Sequence, residues 1–176
     1  MKYYYNKILV PYDSSKRSDN ALSEATKIAE MSRISSRNNG NIKIILLHVI
    51  QEIPTPPSLF GTGHFNLVSS KTGDKISLRE HMKELYQEMK ADATKTLNDK
   101  IAGYHTNMKQ EGQLKMRAIV SIGYTADKII EFANEEQIDM IIMGTTGLTG
   151  VSKIKALGSV ARKVSERANC PVMLVH

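Results

Sequence analysis

The stretch Ile42-Lys43-Ile44-Ile45-Leu46-Leu47-His48-Val49-Ile50 is β-branched and nearly continuous in its hydrophobicity. A strand with one face in water alternates apolar with polar residues. A run like this one reads instead as a strand covered on both faces, as in a parallel sheet between helices. Other segments of the chain agree. Ile8-Leu9-Val10 is a short apolar run ended by the turn-rich Pro11-Tyr12-Asp13-Ser14-Ser15. Leu114, Met116, Ala118, Val120 and Ile122 alternate as a strand stopped by Gly123-Tyr124, and Ile138–Met143 and Cys170–Val175 supply two more.

Between these runs the apolar period becomes helical. Ala21, Leu22, Ala25, Ile28 and Ala29 open a helix of roughly five turns. Leu78, Met82, Leu85, Met89, Ala93, Leu97 and Ile101 mark a longer one, whose methionines are expected to fill the core. Ala126, Ile129, Ile130 and Ala133 give a third helix, and Val160, Ala161, Val164 and Ala168 a last. Such alternation implies an α/β fold: a doubly wound, five-stranded parallel sheet with helices on both faces, joined by right-handed crossovers. Residues 1–176 are expected to form one domain without an internal repeat. It is interrupted by a long loop at about 51–75, where Pro54, Pro56, Pro57, Gly61, Gly63 and Gly73 forbid a regular helix or a central strand. Loops of that length tend to be functional.

Charge narrows the partners. Lys and Arg number 24 against 18 Asp and Glu, a net charge of +6, which draws anions of any kind. The basic residues are scattered and no zinc-finger or RNA-recognition pattern accompanies them, so specific nucleic-acid binding is not expected. No apolar run is long enough to span a membrane. Met1–Lys7 has no apolar segment of a secretory signal. The single cysteine, Cys170, cannot form an internal disulfide, and together these fit a reducing cytoplasm.

In open doubly wound sheets, ligands bind beyond the carboxyl ends of the strands, where the strand order reverses. The loop after the fourth strand carries Gly144-Thr145-Thr146-Gly147, and Gly158-Ser159 opens the last helix. Glycines that admit a close approach, with the unpaired N–H groups of a helix start, make an anion site to which Thr145, Thr146 and Ser159 could add donors. A surface loop ending in a serine N-cap reads the same way. Asp13, at the end of the first strand, either accepts hydrogen bonds from a ligand or turns the chain into the next helix. No two histidines are spaced for a helical metal site, and His48 reads as a satisfied structural residue. A Gly-x-Ser-x-Gly elbow, a Gly-x4-Gly-Lys-Ser/Thr loop and a Gly-x-Gly-x-x-Gly fingerprint after the first strand are all missing.

Jointly these segments resemble the universal stress protein (UspA-like) family. The likeness rests on Ile8–Ser15, Leu46-Leu47-His48-Val49, Gly123–Gly144, Gly144-x2-Gly147, Gly158-Ser159 and Cys170-Pro171-Val172. It implies an adenine nucleotide alpha hydrolase-like (Rossmann-like) sheet of order 3-2-1-4-5, counting strands along the chain. In the nucleotide-binding branch of that family, Pro11, Asp13 and Val49 would surround adenine and ribose. Met143, Gly144 and Gly147 would line the approach, and Gly158, Ser159 and Val160 would hold phosphates. Between Gly147 and Gly158 this chain has ten residues, one more than that family's motif.

Three functions are open at this level. The first is a regulatory sensor or interaction module that binds ATP or another adenine nucleotide, with or without Mg²⁺, and thereby orders the 51–75 loop and selects an unknown protein partner. The second is a slow ATP-hydrolysing enzyme, for which Lys153 or Lys155 could supply charge but no residue suggests itself as a base. The third is a nucleotide-free interaction protein of the same fold. All three carry the expectation of a homodimer through the C-terminal strand Pro171–Val175, with no catalytic or metal residues assigned.

Overall fold

The structure, a computed structural model, describes residues 5–35, 42–55, 58, 67–107, 114–146 and 157–176. In chain order these form β1 (Lys7–Pro11), α1 (Lys16–Ser35), β2 (Lys43–Gln51), β3 (Leu67–Val68), β4 (Lys75–Ile76), α2 (Leu78–Asn107), β5 (Lys115–Gly123), α3 (Thr125–Glu135), β6 (Met140–Gly144), α4 (Ser159–Arg167) and β7 (Val172–Val175). The main sheet has five strands in the order β5-β2-β1-β6-β7, all pairings parallel. With the main-sheet strands counted alone, this is the expected 3-2-1-4-5 order. The chain builds outward from β1 to β2 and β5, then returns to β6 and β7, so the order reverses between β1 and β6.

Strand geometry explains the two cores. Successive side chains point to opposite faces, so Ile8, Val10, Ile44, Leu46 and Ile142 join Ala21, Leu22, Ala25 and Ala29 of α1 and Leu97 and Ile101 of α2. On the other face Leu9, Ile45, Leu47, Ile141 and Met143 meet Ala126, Ile129 and Ala133 of α3 and Ala161 and Val164 of α4. Leu9 lies in register with Ile45 on one side and Ile141 on the other, so one row of aliphatic residues crosses the middle of the sheet. Asp139 pins the start of β1, its Oδ2 accepting the N–H groups of Asn6 at 2.7 Å and Lys7 at 2.8 Å.

Two features differ from the sequence reading. At the end of the segment expected to be a loop, β3 and β4 pair antiparallel, Leu67 opposite Ile76 and Val68 opposite Lys75. Ser69 and Ser70 tie the pair to α2 by hydroxyl donation to Glu84 at 2.7 Å and Glu88 at 2.6 Å. Two-residue strands leave no period to read. The second difference is Met89, which is 39% exposed rather than core. Of the apolar stripe of α2 only Leu97 and Ile101 are buried, while Tyr86 and Ala93 pack partly buried against the same core.

Candidate functional site

A cavity of about 530 Å³ opens at the carboxyl ends of β1, β2 and β6, where the strand order reverses. Of the residues singled out from the sequence, Pro11, Asp13, Val49, Met143, Gly144, Gly158, Ser159 and Val160 all line it. Gly147 falls outside the described residues, as do Lys153 and Lys155. The wall also contains Tyr12, Ser15, Ser18, Leu47, His48, Gln51, Thr125, Ile129 and Ala161. Tyr12 follows β1, and Leu47, His48 and Gln51 belong to β2, where position along the strand is the signal. Ser15 precedes α1, while Ser18, Thr125, Ile129 and Ala161 come from the first turns of helices.

Three helices start at this cavity: α1, α4 and, at Thr125, α3. The start of α3 has no side-chain cap, and the first turns of α1 and α4 are satisfied differently. At α1, Ser15 caps the helix: its Oγ accepts the Ser18 N–H at 3.1 Å, and the Ser18 hydroxyl donates back to the Ser15 carbonyl at 2.8 Å. Asp13 Oδ1 in turn accepts the Ser15 N–H at 3.0 Å. Between them Ser14 holds φ 64, a left-handed conformation uncommon outside glycine. Asp13 is therefore both a turn residue and part of the wall.

At α4 the N-cap is Gly158, with φ −61 and ψ 153 and no side-chain cap hydrogen bond. Ser159 occupies the first helical position, not the cap. The Gly158 N–H donates to the Thr145 carbonyl at 2.8 Å, and a Cβ on Gly158 would stand 3.1 Å from that same oxygen. The helix start is thus drawn tight against the end of β6. Its first-turn residues Ser159, Val160 and Ala161 line the cavity, with N–H groups that have no intrahelical partner.

Gly144 answers to a different neighbour. A Cβ there would meet Arg17 Cβ at 2.8 Å and the Arg17 carbonyl carbon at 3.1 Å, so its bareness lets the first turn of α1 cross the end of β6. Beyond it, the Thr145 N–H donates to Val175 O at 2.9 Å. The Thr146 Oγ1, beside the cavity, is buried without a hydrogen-bond partner among the described residues.

Polar contacts below the cavity fix its floor. His48 Nδ1 lies 2.8 Å from the Tyr12 carbonyl; a carbonyl can only accept, which assigns the proton to Nδ1 and leaves Nε2 as the acceptor of the neutral ring. The Tyr12 hydroxyl donates to Asp19 Oδ1 at 2.5 Å, and the same oxygen takes Lys100 Nζ at 2.7 Å. Burial, then the bond to Asp19, pushes the Tyr12 phenol up to about 12. Burial alone would raise the Asp19 carboxyl, but hydrogen bonds from Lys100 and Tyr12 outweigh it and hold the group below its ordinary value. Tyr12 thus joins the end of β1 to α1 and α2.

An open parallel sheet, helices on both faces and a ligand-sized cleft at the reversal of strand order define a doubly wound α/β protein of the Rossmann-like class. Residues 4–176 match the universal stress protein family, and the chain belongs to it. Universal stress protein MJ0531 of Methanocaldococcus jannaschii is 30% identical over 171 residues, covering 97% of this chain and 82% of that one. Universal stress protein UspA from Lactobacillus plantarum has the same fold, with a TM-score of 0.72 at 22% identity over 99% of this chain and 100% of that one. A universal stress protein in complex with cAMP also shares it, with a TM-score of 0.54 at 20% identity over 98% and 97% of the two chains. Among the described residues no helix is long and apolar enough to cross a membrane.

Proposed function

We propose that the cavity binds an adenine nucleotide and that the chain acts as a nucleotide-dependent sensor or interaction module of the stress response. One observation carries the reading: the uncapped start of α4 and the carboxylate of Asp13 open into a single cavity of about 530 Å³, within the range of small-molecule sites. Unpaired N–H groups and the positive end of the helix suit phosphate. Asp13 suits ribose hydroxyls or an exocyclic amine, and Pro11, Val49 and Met143 offer apolar contact to a ring. A universal stress protein of this fold has been solved with cAMP, which supports the class of ligand. Asp13 is the one carboxylate among the described lining residues, so Mg²⁺ would arrive with the phosphates of ATP rather than occupy a site of its own.

A thermal-shift titration with ATP, ADP, AMP, cAMP and GTP tests the reading. Ligand at a hundred times its Kd adds about 2.7 kcal/mol, roughly 5–10 °C for a domain of this size. A saturable rise with adenine nucleotides and none with GTP is expected. No rise at millimolar ligand would leave a nucleotide-free interaction protein of the same fold.

We further propose that two copies pair along β7. That strand is hydrogen-bonded to β6 on one side and ends the sheet order on the other, and an open apolar edge invites pairing. A monomer in sedimentation at micromolar concentration would contradict this.

A further inference from the structure

A second concavity, of about 700 Å³, lies between the segment after β2 and the first three turns of α2. None of its lining residues belongs to the nucleotide cavity. Its apolar part is Ile53, Met82, Tyr86 and Ile122, and Ile53 is 46% exposed. The Ile53 N–H donates to the Tyr86 hydroxyl at 2.8 Å, which fixes the width of the groove.

Charge on α2 is sorted between two sides. Glu84 holds Ser69 and Glu88 holds Ser70, while Glu80 accepts the Ser77 N–H and hydroxyl and feels the charge of Lys83. The basic residues Arg79, Lys83 and Lys90 line the groove, where Glu52 is the one carboxylate among the described lining residues. Lys83 and Lys90 enter no salt bridge among the described residues. At 1.5 Å per residue the cationic stripe from Arg79 to Lys90 runs about 16 Å, the length of about five residues of extended chain.

From this we infer that the groove is a docking site for an acidic segment of a partner protein, bound extended, with apolar side chains on Ile53, Met82 and Tyr86 and carboxylates toward Lys83 and Lys90. Charge complementarity and length choose the occupant. The apolar floor gives affinity and the cationic rim discriminates against basic sequences. The inference stands independently of nucleotide binding.

The test uses the full chain and a fluorescein-labelled heptapeptide, Asp-Leu-Glu-Leu-Asp-Leu-Glu, followed by fluorescence anisotropy beside a counterpart with Lys at every acidic position. The acidic peptide should bind at micromolar concentration and the basic one at least about tenfold more weakly. Replacing Lys83→Glu together with Lys90→Glu should weaken the acidic peptide by at least about tenfold, Lys83→Ala with Lys90→Ala by less, and Asp13→Ala not at all. The last variant separates failure here from failure of the nucleotide reading. No binding at millimolar peptide, equal binding of both peptides, or indifference to the double charge reversal overturns the proposal. So does recruitment to phosphatidylglycerol vesicles without binding of the peptide, which would make the groove a lipid contact.

Discussion

The starts of α1 and α4 face one cavity, yet only one of them is left open. At α1 a serine caps the first turn from within the chain, and Asp13 and Ser18 complete the local network. At α4 the cap is a glycine with no side chain to offer. The two helices therefore divide the work of one cleft. The capped start gives a wall carrying a carboxylate, and the other start gives first-turn N–H donors that no side-chain cap satisfies. A Gly-rich sequence is not what makes the difference, because Gly144 and Gly158 are bare for separate reasons. The first makes room for Arg17 and the second lies against Thr145.

Gly158→Val attacks the open start and should have the largest effect. A branched side chain 3.1 Å from the Thr145 carbonyl oxygen must push the first turn away. Loss of one or two charge-assisted hydrogen bonds then weakens adenine-nucleotide binding by about a hundredfold or more. Titration calorimetry measures it, and unchanged affinity would remove α4 from the site. Asp13→Ala should cost less, about tenfold in affinity, because one polar contact is lost while the apolar wall remains.

Ser15→Ala makes the two starts alike and should separate stability from binding. Loss of the cap costs about 1 kcal/mol, seen as a fall of about 2–4 °C in Tm, with nucleotide affinity nearly intact. If affinity collapsed instead, the capped start would be the anion site and the comparison would invert. The smallest effect is one of pH. The Tyr12 phenol is pushed up to about 12 in the folded chain from an ordinary 10.0, so the folded state holds that proton more tightly than the unfolded one. The contribution is complete below about pH 10 and is lost as pH rises toward 12. Denaturant midpoints across that range should fall more steeply in the natural sequence than in Tyr12→Phe, and parallel slopes would sever Tyr12 from the wall.

Much of this was legible from residue types. The continuous apolar run of β2 could only be a strand covered twice, and Ile44, Ile45, Leu46 and Leu47 are indeed buried. The doubly wound order followed from alternation and family resemblance together. Asp13 and Gly158 were legible as cavity residues because strand ends and helix starts converge there in this fold. What stayed hidden depended on partners far along the chain. The β3–β4 pair is held by Glu84 and Glu88 of the following helix, and the position of Met89 depends on where α2 leaves the sheet. Which residue caps α4 turned on a one-residue choice between Gly158 and Ser159, set by the bond to Thr145. That Gly144 also makes room for Arg17 was not legible, since Arg17 lies more than a hundred positions earlier.

Tyr12 carries a consequence of an optical kind. The chain has seven tyrosines and no tryptophan, so its ultraviolet emission is phenolic throughout. One of those phenols is hydrogen-bonded to a carboxylate and adjoins Asp13 in the wall of the cleft. If the cleft takes the proposed nucleotide, binding should therefore change that emission in unlabelled protein, with Tyr12→Phe as the blank.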